Sequence, residues 1–100
     1  MIIVLAQASA RPEHRDALAE ALTKASVTSR NDPGCLAYSF HSDVEDANAF
    51  TSIERWENRE DLDAHLATPH VAELIGGLQG KVTGPPVITV YEVSSSSVVG

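Results

Sequence analysis

The stretch Ile2-Ile3-Val4-Leu5-Ala6-Gln7-Ala8-Ser9 decides how this 100-residue chain folds. It is rich in β-branched residues and has no polar side chain before Gln7, which is typical of a strand buried on both faces. A buried helix is the alternative, but the run is short and ends at polar Ser9, shortly before Arg11-Pro12. The stretch therefore predicts a first β-strand in a sheet that is covered from both sides.

The residues after this strand predict a helix. Pro12 suits the first helical turn, where a missing N–H is tolerated. Apolar residues then recur at helical spacing, at Leu18, Ala21, Leu22 and Ala25. The helix should end before Asn31-Asp32-Pro33-Gly34, which is a strong turn signal.

Two alternating segments, 35–43 and 49–57, predict a β-hairpin with an acidic connection between them. In the first segment, one face is expected to carry Leu36, Tyr38 and Phe40, and the other Cys35, Ala37, Ser39 and His41. In the second segment, one face is expected to carry Phe50, Ser52, Glu54 and Trp56.

The remaining residues predict a second helical region and a last strand. Asn58 is expected to cap a helix that Thr68-Pro69 interrupts, and Pro69 can open a short further helix through Leu78. Val87 to Val93 is apolar on both faces except at Thr89 and Glu92, which indicates a strand. Residues 1–93 are thus expected to form one domain, and the Ser-rich residues 94–100 a flexible tail.

The element order β-α-β-β-α-β predicts an α+β, ferredoxin-like fold with an antiparallel four-stranded sheet. Two helices cover only one face of such a sheet, whereas the first and last strands are apolar on both. A second copy of the chain is the simplest cover for the other face, so we expect a homodimer.

Composition excludes several classes of partner. The formal net charge is −7, and only seven Lys and Arg residues are present. They are scattered, so neither a nucleic acid nor an anionic membrane is an expected partner. A single cysteine, Cys35, cannot form an internal disulfide, which fits a cytoplasmic location. The apolar opening is too short for a signal peptide or a membrane span.

The polar residues on otherwise apolar faces are the candidates for chemistry. Glu54 must be paired or functional, because a carboxylate on a buried strand face needs a partner. Trp56 suits a pocket wall. His65 lies on the inward stripe of the second helix; it is either a hydrogen-bonded core residue or a general base. His70 follows Pro69 and is interpreted as a surface or capping residue.

Other kinds of site have little support. His65 and His70 are separated by a proline and do not share a helix face, so no metal site is expected. No nucleophile elbow surrounds Cys35 or any serine. No Gly-rich loop follows the first strand, which argues against a nucleotide or flavin.

An ordered set of segments nevertheless resembles one family, the antibiotic biosynthesis monooxygenases. The set comprises Ser29 to Tyr38, Phe50, Glu54-Arg55-Trp56 and His65 to His70. The resemblance spans roughly Ile2 to Val93 and implies a dimeric α+β barrel. Members include small enzymes that oxidise phenols or quinols without metal, flavin or haem. The family also contains haem-degrading enzymes, isomerases and members of unknown activity.

The resemblance implies a site in which His65 is the base for a small aromatic substrate that reacts with O₂, with no cofactor. Trp56 and Tyr38 would orient the ring, with Gln7 or Asn58 as hydrogen-bond donors. The expected substrate-binding residues are Gln7, Phe50, Glu54, Asn58 and His70. Two alternatives stay open: an isomerase that uses the same cleft, and a dimer that binds a ligand without catalysis.

Overall fold

The computed structural model describes residues 1–100, and its framework is a four-stranded antiparallel sheet. The strands are β1 (Ile2–Ser9), β2 (Cys35–Ser42), β3 (Ala49–Trp56) and β4 (Val87–Glu92). They lie in the order β2-β3-β1-β4, and every neighbouring pair is antiparallel. The predicted α+β, ferredoxin-like fold is confirmed.

The helices begin where the sequence provides caps. A 3₁₀ turn at Pro12–His14 leads into α1 (Arg15–Ser29). The Asn58 side chain caps α2 (Arg59–Leu66), where its Oδ1 accepts from the Asp61 N–H at 2.9 Å. Thr68 caps α3 (Pro69–Leu78) in the same way through the Val71 N–H. None of these helices has the length and apolarity that a bilayer crossing requires.

The helices pack on one face of the sheet and form two core clusters there. The first cluster contains Ile2, Val4, Tyr38, Trp56 and Leu62. The second cluster contains Ala10, Leu18, Leu22, Phe50 and Leu78. Val4 and Tyr38 from the first cluster and Leu22 and Leu78 from the second line a common cavity. The covered face of the sheet therefore encloses a hollow.

The opposite face of the sheet, which we call the open face, carries apolar side chains without cover. Strand alternation and register place five such residues there: Ile3, Leu5, Ile53, Val87 and Tyr91. Ile53 is 46%, Tyr91 49% and Val87 59% exposed. The prediction that β1 and β4 present apolar residues on both faces is thus confirmed at the level of one subunit.

One face assignment in β2 was wrong. The register between β2 and β3 shifts between Cys35 and Ala37, because an extra residue forms a β-bulge there. Cys35 consequently packs against the first core cluster, while Leu36 is half exposed. Simple alternation, which placed Leu36 with Tyr38, fails across the bulge.

The chain after β4 contains no helix or strand. The last strand ends at Glu92, one residue before the predicted end. The division into a domain of residues 1–93 and a flexible tail of residues 94–100 stays a prediction.

Candidate functional site

A mostly apolar cavity of about 70 Å³ lies between the covered face of the sheet and the helices. Twelve of its fifteen lining residues are hydrophobic, and its ionisable groups are Tyr38, Glu54 and His65. The half-exposed side chains in its wall are Leu66, Ile75 and Ile88, so the cavity opens between the α2–α3 region and the edge strand β4. This arrangement suits a small apolar ligand held against a few polar groups.

His65 is joined to an aspartate from a distant turn. Its Nδ1 lies 2.7 Å from Oδ2 of Asp32, and only 3% of its side chain is accessible. Asp32 belongs to the turn after α1, where its N–H donates to the Ser29 carbonyl. The turn therefore brings a carboxylate to the back of a ring that forms part of the cavity wall.

The neighbouring hydrogen bonds define which nitrogen of each ring carries the proton. The Thr68 hydroxyl donates to the carbonyl of His65 at 2.7 Å, so its oxygen can only accept from His70 Nε2 at 3.3 Å. His70 Nε2 therefore bears a proton, which it also shares with Asp32 Oδ2 at 2.9 Å. The Asp32 carboxylate, an acceptor only, likewise accepts a hydrogen bond from the Nδ1–H of His65.

This tautomer leaves Nε2 of His65 with a free lone pair. Nε2 makes no hydrogen bond to protein. Every fully buried side-chain nitrogen or oxygen has a hydrogen-bond partner, so Nε2 is not fully buried. Because His65 is part of the cavity wall, we infer that the accessible surface of Nε2 lies on the cavity side. The arrangement can remove a proton from a ligand in the cavity.

Two aromatic residues hold the imidazole in place. The Trp56 ring lies 4.5 Å from the His65 ring between centroids, and the Tyr38 ring lies 5.5 Å away. Trp56 is fully buried and does not line the cavity. Trp56 therefore packs against the His65 ring outside the cavity, whereas Tyr38 is itself part of the cavity wall.

Glu54 lies at the centre of a buried hydrogen-bond network. Ser52 Oγ donates to its Oε2 at 2.7 Å, and Trp56 Nε1 donates to its Oε1 at 3.1 Å. Ser52 in turn accepts the Ala6 N–H at 3.0 Å. Burial raises the pKa of Glu54, while the bonds from Ser52 and Trp56, and His65 to a lesser extent, act in the opposite direction. Of the two predicted alternatives, paired or functional, the structure shows a paired carboxylate, and its partners are Ser52 and Trp56 of its own strand rather than a cation or a helix N–H.

Burial also keeps two further groups protonated. It raises the pKa of Tyr38 well above its ordinary value, and the Glu54 carboxylate adds to the rise. Tyr38 therefore faces the cavity as a neutral phenol. Burial likewise raises the pKa of the Cys35 thiol, with smaller contributions from Glu54 and Asp32. A thiol of this kind is a poor nucleophile.

The structure brings only part of the predicted set to the cavity. Tyr38, Glu54 and His65 line it. Phe50 lies in the second core cluster, beneath the guanidinium of Arg15, and does not reach the cavity. His70 stands behind His65 and bonds to Asp32.

The two predicted amide donors also lie elsewhere. Gln7 pairs with Thr51 and Val87, so alternation turns its side chain to the open face. The Asn58 carbonyl oxygen is occupied as a helix cap. Neither amide lines the cavity, so neither enters the site described below.

Asp32 is the functional candidate that the sequence reasoning missed. The turn Asn31-Asp32-Pro33-Gly34 accounts for it locally, and nothing nearby indicates a contact with a histidine 33 positions later. The absence of a metal stays a prediction, but the premise that the histidines lie apart does not hold. Asp32, His65 and His70 place one donor atom each within 4.8 Å of one another, because the break at Thr68 returns the chain toward His65.

Comparison with known proteins supports a common origin with one family. The family model described as antibiotic biosynthesis monooxygenase matches residues 1–76. A protein of Escherichia coli named "Probable quinol monooxygenase YgiN" is 32% identical over 92 residues, covering 82% of this chain and 88% of its own. An uncharacterised Synechocystis protein is 28% identical over 95% of this chain, which spans 65% of that relative's length.

Solved structures agree with the sequence matches. A Deinococcus radiodurans protein named after the same family has a TM-score of 0.95 at 31% identity, with 100% of this chain and 99% of the other covered. The protein Rv0793 of Mycobacterium tuberculosis has a TM-score of 0.89 at 25% identity, with 97% and 98% covered. The chain therefore belongs to the antibiotic biosynthesis monooxygenase family, whose activity at the family level is of the monooxygenase type.

Proposed function

We propose that this protein oxidises a small phenol or quinol with O₂ without a bound cofactor, and that Asp32 and His65 form its base. The observation that carries the proposal is the 2.7 Å bond from His65 Nδ1 to Asp32 Oδ2, with the opposite nitrogen on the cavity side. The name of the Escherichia coli relative, a quinol monooxygenase, supports this class of substrate.

The reaction begins with the substrate's own electrons. Deprotonation of a hydroxyl by His65 Nε2 gives an electron-rich anion, which reduces O₂ more readily than the neutral phenol does. For a hydroquinone, one oxygen atom enters the ring and the other leaves as water, and the product is a hydroxyquinone. The substrate supplies all four electrons that reduce O₂, so the chain has to provide a base, donors and a dry cavity.

Asp32 makes His65 an effective base in two ways. It holds the proton on Nδ1 and thereby keeps the lone pair of Nε2 directed to the cavity. It also stabilises the imidazolium that forms when the substrate proton arrives, as the carboxylate does in serine hydrolases. Trp56 fixes the ring plane, since its centroid lies 4.5 Å away.

Tyr38 and Glu54 complete the polar part of the cavity. The neutral phenol of Tyr38 can donate a hydrogen bond to the substrate oxyanion or to a reduced oxygen species. Both oxygens of Glu54 already accept hydrogen bonds from Ser52 and Trp56. Glu54 thus competes poorly with His65 for the substrate proton, and its main contribution is to hold Trp56 in place.

The active form in this proposal is a homodimer. The open face exposes about half of Ile53, Val87 and Tyr91, and one chain has no element to cover it. A second copy that packs sheet against sheet buries this apolar area on both subunits at once. Such packing also makes the sheet rigid behind the cavity.

Oxygen uptake with a panel of substituted hydroquinones tests the proposal. We expect His65→Ala to lower kcat by about 10²- to 10⁴-fold, since general base catalysis contributes that much. Asp32→Asn should cause at least about a tenfold loss, because the amide favours the wrong tautomer. His14→Ala, which removes a histidine of the 3₁₀ turn before α1 that lies outside both the cavity wall and the open face, is the matched control and should behave like wild type. Full turnover by His65→Ala would refute the assignment of the base.

The same base could serve an isomerase, because proton transfer needs the Asp32–His65 pair but no oxygen. The two functions differ in their products. Labelled ¹⁸O₂ should place one labelled atom in the product and one in water if the proposed reaction is correct. Conversion of a substrate without oxygen uptake, lost in His65→Ala, would favour the isomerase instead.

A further inference from the structure

Three polar side chains from separate segments converge behind His65. Asp32 comes from the turn after α1, His65 from α2 and His70 from the first turn of α3. Their donor atoms all lie within 4.8 Å of one another. Two imidazoles and one carboxylate form a donor set that zinc accepts. We propose that Asp32, His65 and His70 bind Zn²⁺, and that the ion and the catalytic base compete for the same imidazole.

The spacing of the donors is close to that of a zinc site. Zinc binds imidazole nitrogen and carboxylate oxygen at about 2.0–2.2 Å, so tetrahedral donors stand roughly 3.3 Å apart. Asp32 Oδ2 is 2.7 Å from His65 Nδ1 and 2.9 Å from His70 Nε2. Small side-chain rotations that open both distances by about half an ångström admit the ion, and water completes the tetrahedron.

The ion would reach this site from outside the cavity. Asp32 and His70 are not part of the cavity wall, and 27% of the His70 side chain is exposed. His70 also borders a groove between α1 and α3 that contains Glu73, together with Lys24 and Lys81. Lys24 is exposed and Lys81 partly exposed, so water and salt weaken their repulsion of a cation. An ion bound here touches the back of His65 and not the substrate.

Zinc at Nδ1 would remove the base. A neutral imidazole that binds a metal through one nitrogen carries its proton on the other. Binding at His65 Nδ1 therefore moves the ring proton to Nε2, and the lone pair that faces the cavity is lost. The metal site itself is independent of the proposed function, whereas inhibition by zinc rests on it.

Direct binding measurements test the site without reference to activity. We would titrate EDTA-treated protein with ZnCl₂ in a calorimeter and record the visible spectrum with Co²⁺ as a stand-in. Wild type and the control His41→Gln should bind one ion per chain. His70→Gln and Asp32→Asn should bind it at least about tenfold more weakly, as expected when a contact at a metal site is lost. Thermal melting without metal verifies that each variant is folded.

Three results would overturn the site: no binding to wild type, unchanged affinity in both ligand variants, or equal loss in His41→Gln. Competition between zinc and the catalytic base for His65 is measured separately, from the ¹⁵N NMR spectrum of the His65 ring. Zinc should move the proton from Nδ1 to Nε2, and a proton that remains on Nδ1 contradicts the competition. If zinc binds and the ring proton moves but no quinol is oxidised in its absence, the proposed function fails while the metal site stands.

Discussion

The two faces of the sheet have polarity that is the reverse of what an isolated domain would show. On the covered face, Ser52 and Glu54 are buried among helices, whereas on the open face Ile53, between them in the same strand, is 46% exposed. An ordinary amphipathic strand places its polar residues in water and its apolar residues in the core. Here β3 does the opposite at its centre.

We infer from this difference that each face serves a separate purpose in the proposed function. Buried polar groups are tolerated only when they are paired, and Glu54 is paired at both oxygens. Such a network holds Trp56 and, through it, His65. The exposed apolar residues contribute nothing to this network, and in the proposed dimer they pack against the partner subunit. Chemistry on one face and assembly on the other should therefore respond to different substitutions.

The largest effect is expected from Trp56→Ala on the covered face. The indole is fully buried, so truncation leaves a cavity and an unpaired Glu54 oxygen, and we expect a loss of about 3–5 kcal/mol in the free energy of unfolding. Denaturant titration measures it. Arg55→Ala, one residue away on the exposed side, should stay within about 0.5 kcal/mol of wild type. Equal losses would break the distinction between the faces.

The open face is tested by Ile53→Glu. A charge at the centre of the proposed interface occurs twice in a two-fold dimer, so we expect self-association to weaken at least about thirtyfold, or roughly 2 kcal/mol. Sedimentation over a concentration series measures it. Val44→Glu introduces the same charge in a fully exposed loop and should leave assembly unchanged. A monomeric wild type at micromolar concentration would show that the open face has another use.

A smaller effect separates two glycines that have the same backbone conformation. Gly34 and Gly80 both have φ = +79°, but a Cβ at Gly34 would overlap the Asp61 side chain, whereas one at Gly80 meets nothing within 4 Å. Each alanine variant should lose about 1–2 kcal/mol from the left-handed backbone. Gly34→Ala should lose at least about 1 kcal/mol more. Similar losses would mean that α2 yields easily, and the turn carrying Asp32 would then be less firmly held than we infer.

The fold could be predicted from the sequence because it depends on local patterns. The alternation in β3, the Pro12 start, the Asn58 cap and the break at Thr68-Pro69 each act within a few residues, and all four are confirmed. The bulge at Cys35 could not be foreseen, because alternation alone does not reveal an inserted residue.

The site was only partly predictable, since it depends on contacts between distant segments. His65, Glu54 and Tyr38 stood out as polar or aromatic residues on apolar stripes, and all three reach the cavity. Asp32 carried no such signal, because a turn already explained it. Gln7 lies on the face of β1 that the helices do not cover, and a strand with two apolar faces does not indicate which face that is.

The smallest effect concerns the pH dependence of stability and isolates Glu54. Because burial raises its pKa in the folded protein, the folded state binds a proton that the unfolded state has already released. This contribution to stability is complete below the unfolded value of about 4.3 and is lost as pH rises through the folded value. Glu54→Gln has no such loss. The free energy of unfolding of the variant, relative to wild type, should therefore increase as pH rises above about 4.3 and level off once pH has passed the folded value.

Denaturant titrations at a series of pH values measure this difference. The amide places an N–H₂ group against a donor, so a constant penalty of about 1 kcal/mol is expected at every pH, and only the slope is diagnostic. Glu57→Gln, at an exposed residue directly after β3, is the control and should follow the wild-type profile. A difference between Glu54→Gln and wild type that does not change with pH would mean that the hydrogen bonds from Ser52 and Trp56 fully offset the effect of burial on the pKa of Glu54. The covered face would then hold a carboxylate at no cost in stability.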